Sequence, residues 1–154
     1  MKQLLLVLAL NALPLLGGNG GGLLFAQDNN TQQTQRQRRP RYVIPTDAPI
    51  LTKQADGSVV INTSALCKDV RGYRDMTPVQ ITISKDKVTK VEALRNNETP
   101  KYMDMVQPLL DKWNGKKVKE AQTAKVDAIT GATFTSKAII ENVHIGLKFY
   151  EGNK

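Results

Sequence analysis

A short segment near the C-terminal end of the chain concentrates side chains that could hold a phosphate. Residues 127–136 have the sequence DAITGATFTS. Within it, the seven residues 130–136 include one glycine, Gly131, and four hydroxyl side chains, those of Thr130, Thr133, Thr135 and Ser136. A hydroxyl group can hydrogen-bond a phosphate oxygen, and it can also carry a phosphate as an ester. The segment therefore predicts a phosphate-binding turn.

The elements on either side of this segment are expected to hold it in a tight turn. Val126 and Ile129 indicate the end of a strand. Residues 136–150 have the apolar spacing of a helix, with one face formed by Ile139, Ile140, Val143, Leu147 and Tyr150. The sequence thus predicts a strand, a turn and a helix start.

The helix start is a favourable place for a phosphate. Gly131 can adopt backbone angles that other residues rarely adopt, and the small side chain of Ala132 leaves space in the turn. The first N–H groups of a helix have no partner within it, and the helix dipole adds partial positive charge there. A simpler interpretation also fits, because threonine and serine are common N-caps and glycine is common in turns.

The same segment resembles the flavinylation motif DxxTGATxTS of the FMN-binding domain family. That family includes the G subunit of the Rnf electron-transport complex and the C subunit of the sodium-pumping NADH:quinone oxidoreductase. In it, a magnesium-dependent flavin transferase joins the phosphate of FMN to a threonine hydroxyl. The resemblance implies FMN as the cofactor and Thr133 as its covalent acceptor, with Thr135 as the alternative acceptor.

The resemblance also implies a wider set of cofactor-binding residues. Within the motif, the phosphate pocket is expected to be shaped by Thr130, Gly131, Ala132 and Thr135, with Ser136 completing the set. Asp127 matches the leading acid and is expected to hold the turn by accepting backbone hydrogen bonds. Its alternative role is that of an ordinary turn residue at a strand end.

Three further segments match the family in the same order along the chain. Residues 71–73 (RGY) and 97–100 (NETP) resemble its Gly-Tyr and Glu-Thr-Pro segments, and residues 113–118 (WNGKKV) resemble its aromatic-x-Gly-Lys step. The match implies that Glu98 and Thr99 lie near the flavin, and their alternative role is a simple helix cap. The chain departs from the family at Lys101, where a glycine is usual.

The length and composition indicate one domain preceded by an export segment. The chain has 154 residues, which is enough for one modest domain. Residues 1–26 predict a secretory signal peptide, because Lys2 precedes an apolar core; an uncleaved anchor is the alternative. The polar composition of residues 27–42 predicts a flexible linker. The resemblance implies that residues 43–154 form the FMN-binding domain.

The predicted linker contributes +3 of the net charge of +8, because it contains Asp28 and four arginines, Arg36, Arg38, Arg39 and Arg41. These arginines could contact an anionic membrane surface, although a solvated linker is the simpler expectation. No recognition motif supports nucleic-acid binding. Cys67 is the only cysteine, so no intrachain disulfide is expected, and we expect its side chain to be buried.

The remaining pattern predicts an α+β fold, a small antiparallel or mixed sheet with helices packed on it. Residues 58–62, 78–83 and 88–94 predict a β-meander, with a hairpin turn at residues 85–87. Thr99 and Pro100 predict a helix start, and Pro108 predicts either a kink or two short helices that end at Gly115. Residues 118–129 are expected to return to the sheet.

These residues point to an exported electron-transfer flavoprotein more than to a stand-alone enzyme. FMN performs redox chemistry while the protein positions it, and the chain has no nucleophile elbow, dinucleotide-binding motif or phosphate-loop motif. We expect no catalytic residue and no metal site, and we expect His144 to be a surface or partly packed residue. The expected partners are a flavin transferase and a membrane electron-transport complex or other redox protein.

Two other functions fit the same residues. One is a non-redox binding module of the same fold, which would gain no covalent flavin from the transferase. The other is a small exported flavin-dependent reductase, which would turn over one specific substrate. The expected location is extracytosolic, in the periplasm or at the cell surface, in all three cases.

Overall fold

The computed structural model of the chain describes residues 40–154. The predicted signal peptide, residues 1–26, and residues 27–39 of the predicted linker lie outside the described residues. Among residues 40–154, no helix combines the length and the apolar character that a bilayer span requires.

Four antiparallel strands form one sheet in the order of the sequence, β1-β2-β3-β4. The strands are β1 (Leu51–Lys53), β2 (Val59–Asn62), β3 (Val79–Ser84) and β4 (Lys87–Ala93). The predicted meander is confirmed, and β1 is an additional strand that precedes it. The register places Ile61 opposite Ile81 and Ile81 opposite Val91, and all three are buried on one face.

The hairpin between β3 and β4 is a two-residue turn. Lys85 and Asp86 have φ angles of 50° and 60°. Two successive positive φ values define a type I′ turn, whose twist matches that of the adjoining strands. The turn predicted at residues 85–87 is therefore confirmed.

Three α-helices cover the apolar face of the sheet: α1 (Pro100–Leu110), α2 (Val118–Thr123) and α3 (Thr133–Asn153). Pro108 lies inside α1, which ends two residues later and continues as a 3₁₀ turn over Asp111–Trp113. Pro108 cannot donate the hydrogen bond that would join it to the preceding turn, so the helix tightens and stops here. Trp113 closes this helical region with a fully buried side chain.

The expectation that residues 118–129 return to the sheet is wrong. Residues 118–123 form α2, and residues 124–129 form no strand. The backbone touches the free edge of β4 only briefly, where Val88 N–H donates to Lys116 O over 2.9 Å and Gly115 N–H donates to Val88 O over 2.7 Å. Val118 and Ala121 then bury their side chains at helical spacing.

Helix α3 packs along the sheet and confirms the helix predicted over residues 136–150, extended by three residues at each end. Ile139, Val143 and Leu147 are completely buried on the predicted face. The hydroxyl of Thr63 donates to Asn142 Oδ1 over 2.7 Å, which fixes α3 against the end of β2. Gly146 permits the closest approach, because a Cβ atom there would lie only 2.7 Å from Ile81 Cδ1.

Cys67 lies in the same interior region, as the sequence predicted. Burial raises the pKa of the Cys67 thiol to about 11, and the negative charge of Glu141 adds to this effect while a hydrogen bond with Thr63 opposes it. The thiol therefore stays protonated at neutral pH.

We expect Gly146→Val to lower the free energy of unfolding by about 1–3 kcal/mol, because the added atoms overfill the contact between α3 and β3. Gly152→Val is the matched control, since no atom lies within 4 Å of a Cβ atom built at that helical glycine. Urea unfolding of both variants measures the difference. Equal destabilisation by the two substitutions would contradict the close packing at Gly146.

Candidate functional site

The hydroxyl-rich segment forms a tight β-turn immediately before α3. Ala132 N–H donates to Ile129 O over 3.0 Å, and Gly131 has a φ angle of 87°. A positive φ at the third position of a β-turn favours glycine strongly. Met105 packs beside this glycine, with its Cε 3.1 Å from the position of a Cβ atom.

Ser136 holds this turn closed. Its hydroxyl donates to Ala132 O over 2.9 Å and accepts from Ile129 N–H over 3.0 Å, and the residue is completely buried. The side chain therefore bridges both ends of the turn and has no surface to offer a ligand. Asp127 is exposed, and its role in holding the turn stays a prediction.

Thr133 is the first residue of α3 and its side chain is exposed. The residue at the N-cap position is Ala132, and no side chain caps the helix. The interpretation of the hydroxyl groups as ordinary N-caps of α3 is therefore wrong. Thr133 presents a free hydroxyl beside the open N–H groups of the first helical turn.

Thr135 lies two residues further along and faces the interior. It is completely buried, and its hydroxyl donates to Glu98 Oε2 over 3.2 Å. Thr130 is exposed in the turn itself. The three threonines of the motif therefore have different surroundings, two at the surface and one inside.

Glu98 joins the start of α3 to the loop of residues 71–77. Its Oε1 accepts a hydrogen bond from Arg74 N–H over 3.0 Å, while its Oε2 accepts the bond from Thr135. The carboxylate is 6% exposed and lies against Gly72, where a Cβ atom would collide with Oε1. Thus three separated motif segments meet at one carboxylate.

Thr99 occupies the N-cap position of α1 but makes no side-chain capping bond. Its carbonyl oxygen accepts the first hydrogen bonds of the helix, from the N–H groups of Tyr102 and Met103. The neighbouring Glu98, and not Thr99, makes the contacts that reach α3.

A second polar cluster adjoins Glu98 and is centred on Asp75, which the sequence did not single out. Asp75 accepts hydrogen bonds from Arg41 Nε over 2.8 Å, from Asn97 Nδ2 over 2.8 Å and from Arg71 over 3.2 Å. Asn97 also exchanges two hydrogen bonds with the backbone of Tyr42, of 2.8 and 2.7 Å. The last residues of the predicted linker are therefore attached to the domain beside the site.

The electrostatics of this cluster favour the ionised form of Asp75. Burial by itself would raise the pKa of the Asp75 carboxyl, but the hydrogen bonds from Asn97 and the backbone and the nearby Arg41 guanidinium outweigh it. The pKa consequently lies below its usual value of 3.8. At neutral pH the ionised Asp75 carboxylate therefore holds Arg41 through a charged hydrogen bond.

Exposed aromatic side chains occur in two of the segments that Glu98 connects. Tyr73 is 58% exposed and packs edge to face against Tyr102, with ring centroids 5.0 Å apart. Phe134, directly after Thr133, is 67% exposed. The motif accepts any residue at position 134, so the sequence did not mark Phe134 as a site residue. Its exposure in the folded chain makes it a candidate contact for a planar ring.

A groove of about 660 Å³ adjoins the turn. Asp127 and Thr130 line it together with three lysines, Lys112, Lys116 and Lys125. His144 lies elsewhere on α3 and is partly buried, as expected. Among residues 40–154, no group of three histidine, cysteine or acidic side chains is arranged to hold a metal ion.

The sequence pattern of the FMN-binding domain family matches residues 72–148, which is half of the chain. The matched range begins at Gly72, includes Glu98 and the turn, and ends within α3. It thus contains the hydrogen bonds of Glu98 to Arg74 and to Thr135, which hold the first turn of α3. No solved structure matches the chain.

We expect Glu98→Ala to lower the free energy of unfolding by about 1–3 kcal/mol, because it leaves the buried Thr135 hydroxyl and the Arg74 N–H without an acceptor. Glu141→Ala, which removes an exposed glutamate, should change the stability by less than about 0.5 kcal/mol. Urea unfolding compares the two. A neutral effect of Glu98→Ala would contradict the structural role of this carboxylate.

The Asp75 cluster predicts a pH-dependent contribution to stability. Because the pKa of Asp75 is lowered in the folded chain, its contribution is present above the usual value of 3.8 and is lost as the pH falls through the lower folded value. We expect Asp75→Asn to cost about 1 kcal/mol at pH ~7, discounted for the exposure of Arg41. Urea unfolding should show the gap narrowing as the pH falls below 3.8, and a gap that does not change with pH would contradict it.

Proposed function

This chain belongs to the FMN-binding domain family, and we propose that it carries FMN covalently, through a phosphoester to Oγ1 of Thr133, as an exported electron carrier. The observation that carries the proposal is the exposed hydroxyl of Thr133 at the uncapped start of α3. Any enzyme that attaches a cofactor needs such access to the acceptor atom.

The difference in burial favours Thr133 over Thr135 as the acceptor. Thr135 is completely buried and its hydroxyl is already donated to Glu98. Modification of Thr135 would require α3 to separate from the loop of residues 71–77. Modification of Thr133 requires no such opening.

The surroundings of Thr133 suit a phosphate group. The N–H groups of the first turn of α3 receive no side-chain cap, and the helix dipole concentrates partial positive charge at this end. Gly131 adds no side chain of its own to the turn. Thr130 adds a second exposed hydroxyl close by.

The aromatic side chains near the site suit a planar ring. Tyr73 and Phe134 both expose apolar surface, and both adjoin residues that Glu98 holds together. A bound FMN would accept and donate electrons, while the chain binds and orients it. The side chains we assign to this task are Tyr73 and Phe134, with Tyr102 supporting Tyr73 from the edge.

A covalent bond is useful in the location that we propose. Residues 1–26 would direct export and residues 27–42 would space the domain from a membrane or from the cleaved end. A cofactor that dissociates freely would be diluted outside the cytosol, whereas a phosphoester does not depend on the free FMN concentration. The proposed partners are a flavin transferase, and a membrane electron-transport complex or another redox protein.

The proposal is tested by co-expressing the chain with a flavin transferase and detecting flavin fluorescence after denaturing electrophoresis, with intact mass as the second readout. We expect a fluorescent band for the wild type, for Thr130→Ala and for Thr135→Ser. We expect none for Thr133→Ala. Thr135→Ser retains a hydroxyl that can donate to Glu98, so this variant is expected to keep the packing of α3 that flavin attachment at Thr133 needs.

Other outcomes would redirect the assignment. Loss of the band only in Thr135→Ala, with Thr133→Ala still labelled, would move the acceptor to Thr135. Absence of covalent flavin in the wild type would refute the proposal and favour a non-redox binding module. Saturable, flavin-dependent turnover of one small molecule would favour a reductase over a carrier.

A further inference from the structure

The groove beside the acceptor turn carries unbalanced positive charge. Lys112, Lys116 and Lys125 line it and are exposed, and none of them forms an ion pair among residues 40–154. Asp127 is the acidic side chain in its lining. We infer that this groove is the docking surface for an acidic face of the flavin transferase that modifies Thr133, an inference that rests on the proposed function.

The turn places this groove next to the acceptor. Ile129 lines the groove, and its carbonyl oxygen lies 3.0 Å from the backbone nitrogen of Ala132, the residue before Thr133. A stable protein interface covers about 800 Å² on each partner. Thr130, three residues before Thr133, lines the groove, so an interface of this size around the Thr133 hydroxyl has room to include it.

The chemistry of the groove favours a protein partner over a small anion. Exposed ammonium groups hold a single anion weakly, because water screens each pair. A protein surface with several carboxylates engages all three lysines at once, and their combined field also speeds the encounter. The half-buried Ile129 adds apolar surface to the same groove.

The lysines would act on association and not on bond formation. In the transfer, Thr133 Oγ1 forms a bond to the phosphorus of the flavin mononucleotide part of a flavin dinucleotide. The P–O–P bond breaks, a nucleoside monophosphate leaves, and the hydroxyl proton passes to a base or to water. No electrons are exchanged, and none of the three lysines touches the reacting atoms in this scheme.

The test measures initial rates of flavin attachment with the full-length chain as the varied substrate, together with purified transferase, a flavin dinucleotide and Mg²⁺. The groove variant is Lys112→Glu/Lys116→Glu/Lys125→Glu. The matched control, Lys53→Glu/Lys68→Glu/Lys148→Glu, makes the same change in net charge at exposed lysines elsewhere. A third variant replaces the groove lysines with arginine and so retains the positive charge.

We expect the groove variant to raise KM about tenfold or more with little change in kcat, and to lose the salt dependence of KM that the wild type has. The control and the arginine variant should retain the wild-type KM. Circular dichroism and urea midpoints check folding, and the single variant Lys125→Glu gives a smaller KM increase if the triple variant is unstable.

Two results would overturn the inference while leaving the proposed function intact. One is an unchanged KM in the groove variant, which would leave these lysines for another partner or for solvent. The other is an equal rise in the control, which would indicate an effect of net charge alone. If the wild type gains no flavin at Thr133, the proposed function fails and this inference fails with it.

Discussion

The carboxylate of Glu98 accepts hydrogen bonds from two distant parts of the chain, and the geometry around Thr133 depends on them. One oxygen holds the backbone of Arg74, and the other holds the hydroxyl of Thr135 in the first turn of α3. A buried carboxylate without such donors would be costly, so the loop and the helix must stay in contact. Gly72 makes this contact possible because any side chain there would occupy the carboxylate's position.

Helix α3 combines a structural and a chemical role. Its buried face fixes it on the sheet, with Gly146 in close contact with β3 and Asn142 bonded to Thr63. Its first turn is consequently held in place while Thr133 stays exposed. The absence of a side-chain cap leaves the N–H groups of that turn free for an anion, and the stability of the helix comes from packing instead.

The entry of the N-terminal segment into the domain lies beside the same site. Arg41 and Tyr42 are held by Asp75 and Asn97, the latter being the residue before Glu98. The ring of Tyr42 is also covered by the Arg95 guanidinium, 4.2 Å from its centroid. Residues 41 and 42 are therefore anchored to the domain beside Glu98.

Local patterns in the sequence were sufficient for most of the sheet and for the acceptor segment. Alternation of apolar residues predicted β3, the composition of the hairpin predicted its turn, and the spacing of Ile139, Val143 and Leu147 predicted α3. The resemblance at residues 127–136 led to the family that the matched range 72–148 supports. These features depend on neighbouring residues, so the order of residues alone indicates them.

Only the tertiary structure decided which hydroxyl is exposed and which polar groups are paired. Thr135 and Glu98 are 37 residues apart, and Arg41 and Asp75 are 34 apart, so no local pattern connects either pair. No local pattern shows either that residues 118–129 form no strand. Strand pairing depends on where the chain runs relative to the edge of β4, and the chain leaves that edge after a brief contact. The sequence by itself determined that a hydroxyl-rich turn precedes a helix, whereas packing against Glu98 determined that Thr133 faces outward and Thr135 faces inward.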